Sequence, residues 1–293
     1  AMIDEFASLM FGPASEPMRE FYLALETSGG PDRYVSGNEF DLPGLFPPAL
    51  RESCRALLDD AEDLADGDDT VLARIAFVEL GWRYTELHLT AMEAHSAFRR
   101  EATPVGKAAA RDAWQAYVNG FDRLRGTHAF AERHLDGFLA KAQTQLDAYA
   151  LDLAQLPPGD VSYQDQLNVG GNARLHGTVA GFYDGTWGLC LYKNGKGSLT
   201  YEFGGADGHA WSEARVAWSS TCVEGLTCSA ELSTDGQTWE ALAADKSLAY
   251  DDEFDLTDAV AGKQRFWVRL TYSSTLDREQ AAIHAFKLSG KID

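Results

Sequence analysis

At Leu156-Pro157-Pro158-Gly159 the pattern of this 293-residue chain changes. Upstream, apolar residues recur every three or four positions. Downstream, short runs alternate apolar and polar between glycine-rich turns. Two prolines and a glycine cannot continue a helix, because proline lacks the amide donor and crowds the preceding turn. The expected architecture is an N-terminal antiparallel helical bundle over residues 1–156. An antiparallel β-sandwich of jelly-roll type follows over residues 157–293. Each part is long enough to bury a core of its own.

The helical part reads as four helices. The first runs from Ala14 to Thr27, between Pro13 and Gly29-Gly30-Pro31, and the second from Pro47-Pro48 to about Ala65. Val71, Ile75, Val78, Trp82, Leu89 and Met92, with Thr85 in the one gap, form the stripe of the third. A fourth, longer pattern runs from Trp114 through Phe121 and Leu135 to Leu153. Gly120, Gly126 and Gly137 each weaken it by about 1 kcal/mol, which predicts a kink near Gly126-Thr127.

In the second part Leu199, Tyr201 and Phe203 share one face of a strand, as do Val216 with Trp218 and Cys228 with Ala230 and Leu232. Phe266, Val268 and Leu270 form another row, and a strand from Ile283 to Leu288 closes the chain. Ser233-Thr234-Asp235-Gly236-Gln237-Thr238-Trp239 is a hairpin signature, with Asp-Gly at the turn.

Net charge is −20, shared by both parts. Such a field repels polyanions, so nucleic acid and anionic membrane are not expected partners. No apolar run reaches the roughly 20 residues that span a bilayer. Ala1-Met2 ahead of Ile3-Asp4-Glu5 does not resemble a leader; a start within a longer protein is expected, with any export signal upstream. Cys222 and Cys228, flanking a possible hairpin tip, could form a disulfide or remain two thiols; no C-x-x-C pair points to zinc.

Candidate site residues fall into three groups. Tyr183-Asp184-Gly185-Thr186-Trp187 combines a carboxylate in a tight loop, able to hold calcium at Asp184, with an aromatic pair, Tyr183 and Trp187, suited to a sugar ring. Asp251-Asp252-Glu253 is a rival calcium loop. Strand alternation places Trp267 between Arg265 and Arg269 on a face away from the apolar row, a platform for a sugar, an acidic one included. The competing readings are an ordinary turn for the first, a solvated acidic loop for the second, and for the third a face that packs on other parts of the protein. Among the helices, His88 and His95 lie two turns apart, about 10.5 Å of rise and too far for one ion. His128 and Glu132 have i, i+4 spacing, which a helical ion pair also explains.

Three stretches resemble one family: Phe11-Gly12-Pro13-Ala14-Ser15-Glu16-Pro17-Met18, Phe46-Pro47-Pro48, and Arg74-Ile75-Ala76-Phe77-Val78-Glu79-Leu80-Gly81. They are similar to the C-terminal part of large, uncharacterised bacterial glycosidase-like proteins related to α-glucuronidases. Asp184-Gly185-Thr186-Trp187 and the Ser233–Trp239 hairpin resemble a discoidin-type, galactose-binding-like domain. The resemblance implies an upstream catalytic (β/α)8 barrel in the same chain, a secreted or periplasmic location, and no catalytic residue here. It further implies a carbohydrate-binding module for a polysaccharide or oligosaccharide. Two alternatives stand beside it: domains that only dock on and stabilise the barrel, and an enzyme complete in this chain, for which no acid/base or nucleophile motif stands out.

Overall fold

The structure is a computed structural model that describes residues 2–28, 41–127, 132–246 and 252–293. Asp251 and His128 of the sequence-predicted sites lie outside the described residues, as do the side chains of Glu132 and Asp252. Helices are followed by two antiparallel sheets, and the chain divides into compact units between Tyr149 and Ala150.

In the helical unit, α1 (Met2–Phe11) runs through a single 3-10 turn into α2 (Ser15–Thr27). The sequence pattern missed α1, whose short apolar face is half exposed and carries no long stripe. Then come α3 (Leu42–Leu45), α4 (Pro48–Leu64), α5 (Asp69–Glu101), α6 (Pro104–Asp122) and α7 (Glu132–Ala150). The Asp68 carboxylate caps α5 by accepting from the Thr70 and Val71 amides at 3.1 and 3.0 Å. The predicted stripe is buried at Val71, Ile75, Trp82, Leu89 and Met92. Against it pack Phe11, Met18 and Phe21 from the first helices and Cys54, Leu58 and Ala61 from α4.

The expected fourth helix is two helices, a correction with a local cause. After Asp122 the amides of Leu124 and Arg125 turn to carbonyls three residues back, and the backbone reaches φ +75° at Gly126. That winding is too tight to resume the α6 ladder. Gly120 has a different role: a Cβ there would lie 2.4 Å from Leu87 Cδ1, so its absence lets α6 close on α5. The second half of this unit is an aromatic core, with Phe121 4.3 Å from Tyr84 and 4.8 Å from Tyr117, centroid to centroid.

The second unit is the β-sandwich. One sheet runs β3 (Phe182–Asp184), β4 (Leu189–Leu191), β11 (Gln280–Ile292), β6 (Trp211–Ser220), β9 (Asp252–Asp255), with β1 (Gly159–Asp165) also on β11. The other runs β2 (Gly177–Ala180), β5 (Lys196–Gly204), β10 (Arg265–Ser274), β7 (Leu226–Ser233), β8 (Glu240–Lys246). Two single helical turns, α8 (Ala173–His176) and α9 (Thr257–Val260), complete the unit. The inner faces are the rows read from the sequence: Leu199, Tyr201, Phe203, Val216, Trp218, Phe266, Val268 and Leu270 are all buried. Phe286 meets Tyr201 at 4.6 Å across the core.

The sandwich begins before the double proline. Leu153 and Leu156 are buried in its core, and the Leu156 amide donates to the Gly204 carbonyl at 2.8 Å. Helical spacing carried the sequence pattern through Leu153, but the buried face of Leu151–Leu156 belongs to the sheets.

Candidate functional site

An edge hairpin of the first sheet carries three aromatic side chains. Phe182 and Leu191 turn into the core, so strand alternation sends Tyr183, opposite Cys190, to the outer face. The Tyr183 hydroxyl donates to Glu279 Oε2 at 2.8 Å, and its ring lies 4.8 Å from that of Tyr192. Burial of the phenol, then its bond to Glu279, raises its pKa above the ordinary value, keeping it a donor at neutral pH. Tyr192 is 55% exposed and Trp187, in the tip, 80%.

Such exposure does not come from a slack loop. The Gly185 amide donates to the Gly188 carbonyl at 3.0 Å, and the Val169 amide to the Gly185 carbonyl at 2.9 Å. His284 Nδ1 stands 2.7 Å from the Trp187 carbonyl oxygen. That oxygen can only accept, so Nδ1 is the protonated nitrogen. His284 Nε2 lies 2.8 Å from Thr221 Oγ1. The indole is thus held out on a braced loop. A braced, solvated aromatic lowers the ordering cost of binding, since little freedom is left to lose. Tyr192 and Glu279 were missed in the sequence because they sit in separate turns and only the sheet brings them to Tyr183.

The outer face of the second sheet departs from expectation. Trp267 does lie between Arg265 and Arg269 on the face opposite the buried row, but both guanidiniums are ion-paired. Arg265 pairs with Glu202 at 3.0 Å and Arg269 with Glu231 at 2.7 Å. Antiparallel register accounts for this: Arg269 is directly opposite Glu231, and Glu202 opposite Trp267. Arg269 also stacks on Trp239, 3.9 Å from the ring centre. The Asp235-Gly236 turn folds back over Trp267, so a Cβ at Gly236 would lie 3.5 Å from the indole. This Trp is half-buried, and its surroundings are internally satisfied.

The carboxylate of Asp184, the expected calcium ligand, is engaged by a guanidinium. Its Oδ2 lies 3.1 Å from Arg174 Nε, and the same guanidinium donates to the Phe182 carbonyl at 3.1 Å. A calcium ion at Asp184 would have to share the carboxylate with Arg174. Among the described residues no cluster of three or more His, Cys, Asp or Glu side chains is arranged to hold a metal. The buried carboxylate is Asp165, which no sequence pattern marked. It accepts from the hydroxyls of Tyr163 and Tyr201 at 3.2 and 3.1 Å and from the amides of Leu167 and Asn172 at 3.0 and 2.8 Å. Fully bonded in this way, it pins the loop that follows β1.

Cys222 and Cys228 are not joined: all four cysteines are thiols, with Cys228 buried against the core and Cys222 exposed. Burial pushes the Cys228 thiol up to about 12. His88 stacks on Tyr117 at 4.9 Å, whereas His95 is buried with Nδ1 2.5 Å from the Tyr149 hydroxyl. Both serve the helical core.

The helical unit has its own opening, a cleft of about 1000 Å³. Phe6, Phe21, Tyr22, Phe77 and Trp82 line it, with Arg74 donating from its wall to the Met10 carbonyl at 2.7 Å. Phe6 and Phe77 are 42% and 52% exposed. No helix among the described residues is long and apolar enough to cross a membrane.

No family model matches the chain, and no curated protein matches it. Among solved structures it is similar to TmCBM61 in complex with β-1,4-galactotriose, at 10% identity over 45% of this chain and 85% of that one, TM-score 0.24. It is similar to the exo-β-1,3-galactanase Pc1,3Gal43A from Phanerochaete chrysosporium with galactose, at 11% identity over 44% of this chain and 29% of that one, TM-score 0.24. A third is the family GH115 4-O-methyl-α-glucuronidase BtGH115A, with specificity for decorated arabinogalactans, at 12% identity over 98% of this chain but 41% of that one, TM-score 0.27. Likenesses this distant do not carry a function across.

Proposed function

We propose that the β-sandwich is a non-catalytic carbohydrate-binding module, an accessory part of a glycoside hydrolase that works in a secreted or periplasmic setting. One observation carries this reading: Trp187 stands exposed on a braced loop, on the same hairpin as Tyr183 and Tyr192, with the Glu279 carboxylate at hand. Sugars present an apolar C–H face and a rim of hydroxyls. A solvated indole takes the first, and a carboxylate and phenol take the second. The motif resemblance to a glycosidase-like family points the same way. Catalysis is assigned to another domain of the full protein, as the family resemblance implies. Trp267, Arg265 and Arg269 are assigned to the sheet's own stability. A glycan array probed with the whole chain should show binding that Trp187→Ala removes. Retention of that binding would take the indole out of the site.

A second reading belongs to the helical unit. Its aromatic cleft and the exposed Phe6 and Phe77 make an apolar surface of the kind that marks an interaction site. We assign it to docking of the catalytic domain. Phe77→Ser, which leaves the core untouched, should weaken co-purification with that domain when the two are expressed as separate chains. Unchanged recovery would dismiss it.

A further inference from the structure

Resting on the carbohydrate reading, we infer that the module selects neutral glycans and discriminates against uronates. A protein that recognises a sugar carboxylate presents an uncommitted guanidinium, since bidentate pairing supplies both charge and geometry. This sandwich commits its arginines internally. Arg174, Arg215, Arg265 and Arg269, four of its five, are paired with Asp184, Asp255, Glu202 and Glu231. The fifth, Arg278, is exposed in the turn before β11, next in sequence to Glu279. Lys193, on the loop after β4, is itself paired with Asp277.

The polar group that a hydrogen bond holds against the aromatic hairpin is an acceptor. Glu279 is exposed, and the Tyr183 hydroxyl engages one of its oxygens, Oε2. A carboxylate held this way accepts from sugar hydroxyls and repels a sugar carboxylate. The net charge of −20 adds a long-range field of the same sign.

The test uses the whole chain and glycan pairs that differ only in charge: oligogalacturonates against their methyl esters, and glucuronoxylo-oligosaccharides against their carboxyl-reduced forms. On an array, with titration calorimetry of any hit, the neutral member should bind about tenfold more tightly at low salt. Raising ionic strength should narrow the gap by improving the charged member, because screening weakens repulsion. Glu279→Gln should narrow it again by the same route. Equal or tighter binding of the uronate overturns the inference while leaving the carbohydrate reading intact. Binding of neither member of any pair, with other arrayed glycans also silent, overturns both.

Discussion

The two units expose aromatic side chains in opposite chemical company. In the helical unit Phe6 and Phe77 lie around a largely apolar cleft whose walls include four other rings, Phe11, Phe21, Tyr22 and Trp82. In the sandwich, Trp187, Tyr183 and Tyr192 stand beside Glu279, His284 and backbone amides that are already bonded. An aromatic surrounded by carbon suits a partner that brings more carbon. One flanked by oriented polar groups suits a ligand with both an apolar face and hydroxyls. Exposure alone would rank these positions together, and their neighbours separate them.

The comparison breaks first if the units do not have separate cores. Ile75→Ala in the helical core should cost about 3 kcal/mol, since it leaves a cavity. Asp165→Ala should cost the sandwich about as much, because four donors lose a buried acceptor. Followed by denaturant unfolding with far-ultraviolet dichroism and Trp fluorescence, each change should move one transition and leave the other in place. A joint shift in both variants would show one cooperative core.

A smaller effect sharpens the contrast between the tryptophans. Trp187→Ala should weaken glycan binding by about 2 kcal/mol, roughly thirtyfold, with an unchanged melting temperature. Trp267→Ala should do the reverse, lowering the melting temperature while sparing affinity, because the turn at Gly236 rests on it. Calorimetry and thermal melts of the two variants decide the assignment.

The least effect is expected at the β7–β8 turn. Hydrogen bonds from the Thr238 and Gln237 amides lower the Asp235 carboxyl to about 2. The unfolded value is about 3.9. A depressed native pKa gives stability that is complete above the unfolded value and lost as pH falls through the native one. Protection of the Gln237 and Thr238 amides from exchange, taken relative to the intrinsic rate at each pH, should therefore fall between about pH 4 and pH 2, and Asp235→Ala should abolish that dependence. Protection that stays constant through this window at both amides would contradict it.

Much of the fold was legible in local pattern. The α5 stripe, the inner rows at Leu199–Phe203 and Phe266–Leu270, and the Asp-Gly hairpin each depend on neighbours a few residues apart, where periodicity reports burial. The half-exposed α1 was not legible, and neither was the end of α6 at Asp122, where a tightened turn overrode a continuing apolar spacing. Site residues divided the same way. Trp187 and Tyr183 could be nominated from one short run, but Glu279 joins them from 96 positions away from Tyr183.

By itself, then, the sequence determined which residues face inward along α5 and the long inner strands, where helical character gives way to strand, and the acidic field around the molecule. These follow from side-chain period and composition. Tertiary structure alone decided that Arg265 and Arg269 are paired with Glu202 and Glu231 respectively, that Asp184 belongs to Arg174, and that Trp187 is braced by His284. Each of those outcomes depends on cross-strand register or on turns meeting in space. Hydrogen bonds and ion pairs act over about 3 Å, whatever the separation along the chain.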